Sequence, residues 1–283
     1  MTRHGMGIGL LVCLLLAPGP VRAQSELASE RAEYLRWLAT SPTSPLAALA
    51  QQPIGAGLRL GPADADLPLE GTPEYRVAPH PGGIRLTGPS GTRIMRRGVP
   101  VPLGRYTLVA DGPTGREVLT VFGPTRSDKR PSYYRPSPAL VFVGPLTPPE
   151  RHGTIRVLGL DGIEVEAAEA GSVLVPIGGR QVRLLVRRLP LPGSEESELE
   201  IFFRDDTNGD GTYPAGRFVT LVPSGPSRYR LDFNRARNPF CAYSSAYPCP
   251  APWRGNTISA PIPAGERYDG GGLTAPTVKS PRP

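Results

Sequence analysis

Residues 198–222 read ELEIFFRDDTNGDGTYPAGRFVTLV, two apolar-alternating runs joined by a polar, glycine-rich tip. In ELEIFFRD, Leu199, Ile201 and Phe203 point one way and Glu200, Phe202 and Arg204 the other. A period of two is the signature of a strand with one buried face. GRFVTLV (216–222) repeats the pattern on the far side of the tip. The tip itself opens like a calcium loop, with Asp206, Asn208 and Asp210 at positions 1, 3 and 5 and Gly211 at position 6. Position 9 is then Pro214, and position 12, where a bidentate glutamate belongs, is Arg217. The flanks are strands rather than helices. Asx residues and glycines at a hairpin tip explain the stretch more simply, leaving weak calcium binding through Asp206–Asp210 as an alternative.

Working outward, the same punctuation recurs along the chain. Candidate strands lie at 57–60, 75–80, 83–88, 92–97, 104–110 and 117–123, each bounded by Gly, Pro or Asp signals. A second set lies at 139–144, 153–160, 163–170, 172–179, 180–189, 198–205, 216–222 and 228–233. Ile177-Gly178-Gly179-Arg180 is a tight-hairpin sequence. One helix stands out, SELASERAEYLRWLAT (25–40), with Leu27, Tyr34, Leu35 and Leu38 near one face and Ser41-Pro42 ending it. The expectation is an all-β fold: two sandwich- or barrel-like units preceded by one N-terminal helix. The expected divisions are helix plus first unit over 24–124, a polar proline-broken linker over 125–138, the second unit over 139–269 and a loose tail over 270–283.

The first 23 residues carry Arg3 and His4, an apolar run from Met6 to Ala17 and a Val21-Arg22-Ala23 ending, the pattern of a cleaved secretory signal. That apolar run is shorter than the about 20 residues a membrane span needs. Export to the periplasm or beyond is expected, with no membrane span after cleavage. The formal charge is +7 and is carried almost entirely by arginines, which alternate with acids instead of forming a basic block, so nucleic-acid binding is not expected. The 34 glycines and 36 prolines fit many short strands joined by turns.

Three blocks carry a resemblance. They are FRDDT (203–207) with TYPAGRF (212–218), LDFNRARNPFCAY (231–243) closed by Cys249-Pro250, and PIPAGERY (261–268). In order and spacing they resemble an uncharacterised bacterial family, domain of unknown function family 1684. Upstream, GAGLRLGPADADLPLEG (55–71) and GGIRLTGPSGTRIMRRGVPV (82–101) resemble the forkhead-associated-like β-sandwich that precedes these motifs in the family. Phosphothreonine-binding members of that fold carry Ser-x-x-His after a Gly-Arg turn, and this chain has none, so phosphopeptide binding is not implied. The chain departs from the family's usual Ala-Tyr-Asn-Pro-Pro-Cys at Arg237 and Phe240, and from Pro-Leu-Pro-Pro after the second cysteine at Trp253 and Arg254.

The candidate site residues are Asp205, Thr207, Tyr213, Arg217, Asp232, Asn234, Asn238 and Glu266, all at strand ends or adjoining loops. They could form a polar ligand pocket with Arg217 clamping an anion. Equally, Arg217 could bond Asp205 or Asp232 internally while Asn234 and Asn238 hold irregular backbone. Tyr243, Tyr247 and Trp253 flank this loop and suit a carbohydrate or peptide ligand. Cys241 and Cys249 are expected to form a disulfide in an exported chain, since no nearby histidines complete a metal site. The nucleophile-elbow, zinc-protease, phosphate-loop and dinucleotide signatures are missing, and no cofactor is expected. The leading expectation is a non-catalytic binding or structural module of the cell envelope; a hydrolase using Asp205, Asp232 or Glu266 is the alternative.

Overall fold

Alternation from residue 48 onward becomes three sheets in a computed structural model that describes residues 20–191 and 196–269. The elements are α1 (Pro20–Thr40), β1 (Ala48–Pro53), β2 (Leu58–Gly61), β3 (Leu67–Pro68), β4 (Tyr75–His80), β5 (Gly83–Gly88), β6 (Gly91–Met95), β7 (Val101–Leu103), β8 (Tyr106–Asp111) and β9 (Val118–Phe122). They continue with β10 (Val141–Gly144), β11 (Thr154–Leu158), β12 (Glu164–Ile177), β13 (Arg180–Pro190), β14 (Ser197–Asp205), β15 (Arg217–Pro223), β16 (Tyr229–Asp232) and β17 (Thr257–Ile258). The fold is all-β with a leading helix. Of the signal-like first 23 residues, those before Pro20 lie outside the described residues and 20–23 begin α1; the tail from Gly270 also lies outside.

In the first unit, sheets ordered β1-β9-β8-β7 and β3-β2-β4-β5-β6 share one core. The in-out period of β8 sends Tyr106, Leu108 and Ala110 inward, where they meet Val77, Ile84 and Leu86 from the other sheet. The second unit is one sheet, β10-β16-β15-β14-β13-β12-β11, with the short β17 pairing in parallel with β14. Val175, Leu184, Ile201, Phe203, Val219 and Leu231 form a core on one of its faces.

Two sequence-level strands, 163–170 and 172–179, are a single strand in the structure. The register of β12 on β13 shifts between Glu169 and Gly171, a bulge that bends the strand without ending it. Gly171 makes this feasible: its φ is +135°, and a Cβ there would lie 2.1 Å from the Thr147 carbonyl oxygen. Thr147 pairs with Ser172 at that place. At the hairpin that follows, Gly178 and Gly179 both have positive φ, as a two-residue turn matched to sheet twist requires.

β14 departs from the one-faced reading. Leu199, Ile201 and Phe203 enter the main core, but the opposite face is covered too: Phe202 stacks on Phe218 at 4.3 Å between ring centres, and Trp253 lies edge-on to both. Glu200 shares that second face and is only 7% exposed.

The units meet through Ala47, Ala48 and Phe122 against Tyr213, Cys241 and Tyr247. Ser244 Oγ donates to Ala48 O at 3.2 Å, Gln51 Nε2 donates to Asp161 O at 3.2 Å, and Arg116 pairs with Glu164. The helix lies against the second unit: Glu30 takes both Arg235 nitrogens at 2.8 Å, Arg31 Nη2 donates to Asn234 O at 3.0 Å, and Leu38 packs on Tyr243. Residues 132–134 run beside the C-terminal motif, with Tyr134 N donating to Gly265 O and Arg267 N to Ser132 O. Among the described residues no helix is long and apolar enough to cross a membrane.

Candidate functional site

Asp205 ends β14 and Arg217 begins β15, so the hairpin brings them together across its own base. Arg217 Nη2 donates to Asp205 Oδ2 at 2.7 Å, and both side chains have no solvent exposure. Arg217 Nη2 also donates to Ile262 O at 2.9 Å and Nη1 to Ala264 O, while Nε has no partner among the described residues. Asp205 Oδ1 accepts from Thr207 N at 2.9 Å, Thr207 Oγ1 at 2.5 Å and Ile262 N at 3.1 Å. Burial pulls Arg217 below its ordinary value, and the adjacent carboxylate opposes that pull. This pair ties the hairpin to the irregular segment 262–264, whose backbone has no sheet ladder to serve it.

The hairpin tip is held by the same logic. Asn208 Oδ1 accepts from Asp205 N at 2.6 Å and its Nδ2 donates to Tyr213 O, turning inward the oxygen a calcium loop would present. The Thr207 and Thr212 hydroxyls bond at 2.9 Å, while Asp206 and Asp210 remain exposed.

Asp232 ends β16 and caps the turn after it. Its Oδ1 accepts from Asn234 N and Nδ2, and its Oδ2 from Arg230 and Arg235. Asn234 returns to the 132–138 stretch, accepting from Ser137 N at 2.8 Å and donating to Ser137 O at 2.9 Å. Asn238 N and Tyr243 OH both donate to Glu266 Oε2, at 2.8 and 2.6 Å, and Asn238 Nδ2 donates to Arg267 O. Burial raises Glu266 to about 7 against those two donors. Gly265, at φ +74°, lets this segment approach the Ala236 carbonyl, which a Cβ would meet at 2.5 Å. Glu266 also borders a cavity of about 210 Å³ beneath the helix, shared with Arg31, Tyr34 and Tyr133.

Tyr213 OH donates to Cys241 O at 3.3 Å, beside the Cys241–Cys249 disulfide, whose Cα atoms lie 5.5 Å apart. Tyr243, Tyr247 and Trp253 are buried in packing against Leu38, Phe240 and Phe202, not displayed on a surface. The structure therefore places the eight site residues in internal hydrogen-bonded clusters: Asp205, Thr207, Tyr213 and Arg217 around the hairpin, Asp232 with Asn234, and Asn238 with Glu266.

An open feature lies elsewhere, between the two units. A cleft of about 910 Å³ is bordered by Arg97 and Asp111 from the first unit and by Asp161, Glu198, Glu200 and Arg237 from the second. The backbone of Arg237 bridges Phe218, placing its side chain beside the covered face of β14. Among the described residues the carboxylates of Glu198 and Glu200 and the guanidinium of Arg237 have no hydrogen-bonded or ion-paired partner. Burial raises Glu200 to about 7, with Arg237 opposing and Glu198 and Asp161 adding to the rise. Asp161 is raised to about 6 by burial, with Asp111 reinforcing it. Burial works against the charge on Arg237, but Tyr34, Glu200, Glu266 and Glu198 outweigh it and lift the group above its ordinary value.

Sequence reasoning did not single out these cleft residues. Glu200 reads as the solvent side of a strand, and nothing local in the sequence announces that Trp253 covers that side. Arg237 and Phe240, two of the four departures from the resembled motifs, both border the cleft.

No curated protein matches the chain. A solution NMR structure of an uncharacterised protein from Haloarcula marismortui is 30% identical, covering 51% of this chain and 80% of that one, with a TM-score of 0.44. Residues 129–267 match the family described as Protein of unknown function (DUF1684). That segment, which holds the buried site residues and most of the cleft's charged wall, is the part of the chain that is similar to this family.

Proposed function

We propose that this protein is an exported, non-catalytic binding module of the cell envelope that seats a polar ligand in the cleft between its two β units. The observation that carries the reading is a contrast. The motif residues Asp205, Asp232 and Arg217 spend their polar groups on internal partners, whereas Glu200 and Arg237 bring unpaired charge to a cleft of about 910 Å³. Such a volume is within the range of small-ligand sites, and mixed apolar and convergent polar lining is their usual make-up. Charges of both signs beside Leu160 and Phe240 suit a saccharide or a short peptide. The hydrolase alternative gains nothing from Asp205 and Asp232, whose carboxylates already accept four donors each.

The test is a thermal-shift screen of saccharides and short peptides against the wild type, Glu200→Gln and Arg237→Leu. Ligands that stabilise the wild type and lose that effect in both variants support the cleft. Stabilisation unchanged in both variants places the site elsewhere, and turnover of any hit, read by mass spectrometry, removes the non-catalytic assignment. Export is checked by N-terminal sequencing of protein recovered from the periplasm or medium, with Gln24 expected first.

A further inference from the structure

The chain as a whole is basic, yet the cleft is acidic. Five of its bordering residues are acids (Asp111, Asp161, Glu166, Glu198 and Glu200) against the arginines 96, 97 and 237. Arg97 is already bound to Glu117 at 2.5 Å, which leaves the acids further in excess. Acidic residues in a group are commonly a solvated surface, but Glu200 is not on one. It is 7% exposed, it has no hydrogen-bond partner among the described residues, and it borders the cleft from the covered face of β14. Its near neighbours are alike in sign: Glu198 two residues along the same strand, and Asp161 from the turn between β11 and β12. A buried carboxylate among carboxylates, with five acids of the cleft facing only the unpaired Arg96 and Arg237, is stabilised best by a compact cation that donates several hydrogen bonds.

A primary ammonium group has that chemistry. Its charge is concentrated, and its three N–H donors can serve carboxylates arriving from different strands. A guanidinium or a quaternary amine is less suited, the first because its fork is planar and the second because it donates nothing. The rest of the ligand meets Arg237, whose free donors need oxygen acceptors. A carboxylate or phosphate on the ligand would satisfy Arg237 but would also face Glu198 and Asp161, so hydroxyl oxygens fit better. Leu160 and Phe240 offer an apolar surface for the ring that carries them.

We infer that the cleft recognises an amino sugar with a free amine, its ammonium held by Glu200 and Asp161 and its hydroxyls by Arg237; this rests on the cleft reading given above. In the unliganded protein near pH 7, a proton on Glu200 relieves the crowding of negative charge beside Asp161 and Glu198, so binding an ammonium group releases it.

The experiment is isothermal titration calorimetry at pH 7 with glucosamine, N-acetylglucosamine and glucose, on the full mature chain and on Glu200→Gln. Glutamine is nearly isosteric and removes a buried acid, so this variant should fold. Glucosamine is expected to bind at least tenfold more tightly than either neutral sugar, with proton release seen as a dependence of the measured heat on the buffer's ionisation enthalpy. In Glu200→Gln the preference should fall below threefold and the proton release should shrink. Equal affinity for the three sugars, or a preference that survives Glu200→Gln, overturns the ammonium assignment while leaving the cleft as the binding site. Failure of all three to bind overturns the amino-sugar class, and the library comparison above then decides the cleft separately.

Discussion

Arg217 is a fully buried guanidinium whose charge is answered by one carboxylate and two backbone carbonyls. Replacing it with methionine leaves Asp205 buried without its cation, which costs on the order of 3–5 kcal/mol. Arg217→Met is therefore expected to move the urea midpoint sharply down, and adding Asp205→Asn should recover part of that loss. A drop below about 1 kcal/mol would mean that the pair does not hold the hairpin to segment 262–264. Residue-level reading of the sequence reached the polar partners here because Asp205 and Arg217 flank one hairpin. It missed Glu200 because alternation assigns a face and not what covers it. The covering residue, Trp253, lies 53 positions away along the chain, in a loop with no periodic signal.

At the scale of elements, most strands were legible where glycine and proline punctuated them, as at Gly178-Gly179, but β1 and the short β3, β7 and β17 were not. Among the strands that were read, β12 is instructive. Gly171 looks like a stop between two strands but is a bulge, and only the tertiary contact with Thr147 distinguishes the two. Gly171→Ala should lower stability by about 1–3 kcal/mol, because the methyl would collide with backbone that cannot retreat. Gly144→Ala, where a Cβ meets nothing within 4 Å, serves as the control and should change the melting temperature little. The loop 241–249 is closed by its disulfide, and the Cys241→Ser, Cys249→Ser double variant should lose about 2–3 kcal/mol in denaturant titration. Intact protein analysed without reduction should carry no free thiol at either position.

For the whole molecule, burial of acids gives stability a direction with pH. Glu200 and Glu266 are both raised from an ordinary 4.5 to about 7. Between those values the folded chain keeps protons that the unfolded chain has released. Their contribution is fully present below about pH 4.5 and is lost as pH rises through 7, on the order of 3 kcal/mol per group over the full shift. Wild type should thus lose more stability between pH 5 and pH 8 than Glu200→Gln does, measured by urea midpoints at both values. Parallel profiles would show that Glu200 titrates like an exposed acid. The cleft itself was not readable from the sequence, since Asp111 and Glu200 meet only when the two units pack together.

The most direct measurement is NMR mapping of backbone amides during a glucosamine titration. Shift changes concentrated at Leu160–Glu166, Glu198–Glu200 and Arg237, with the 205–217 hairpin tip quiet, are the expected result. Changes centred on Asp205, Arg217 and Asp232 would contradict it, making the buried network the binding site and not its support.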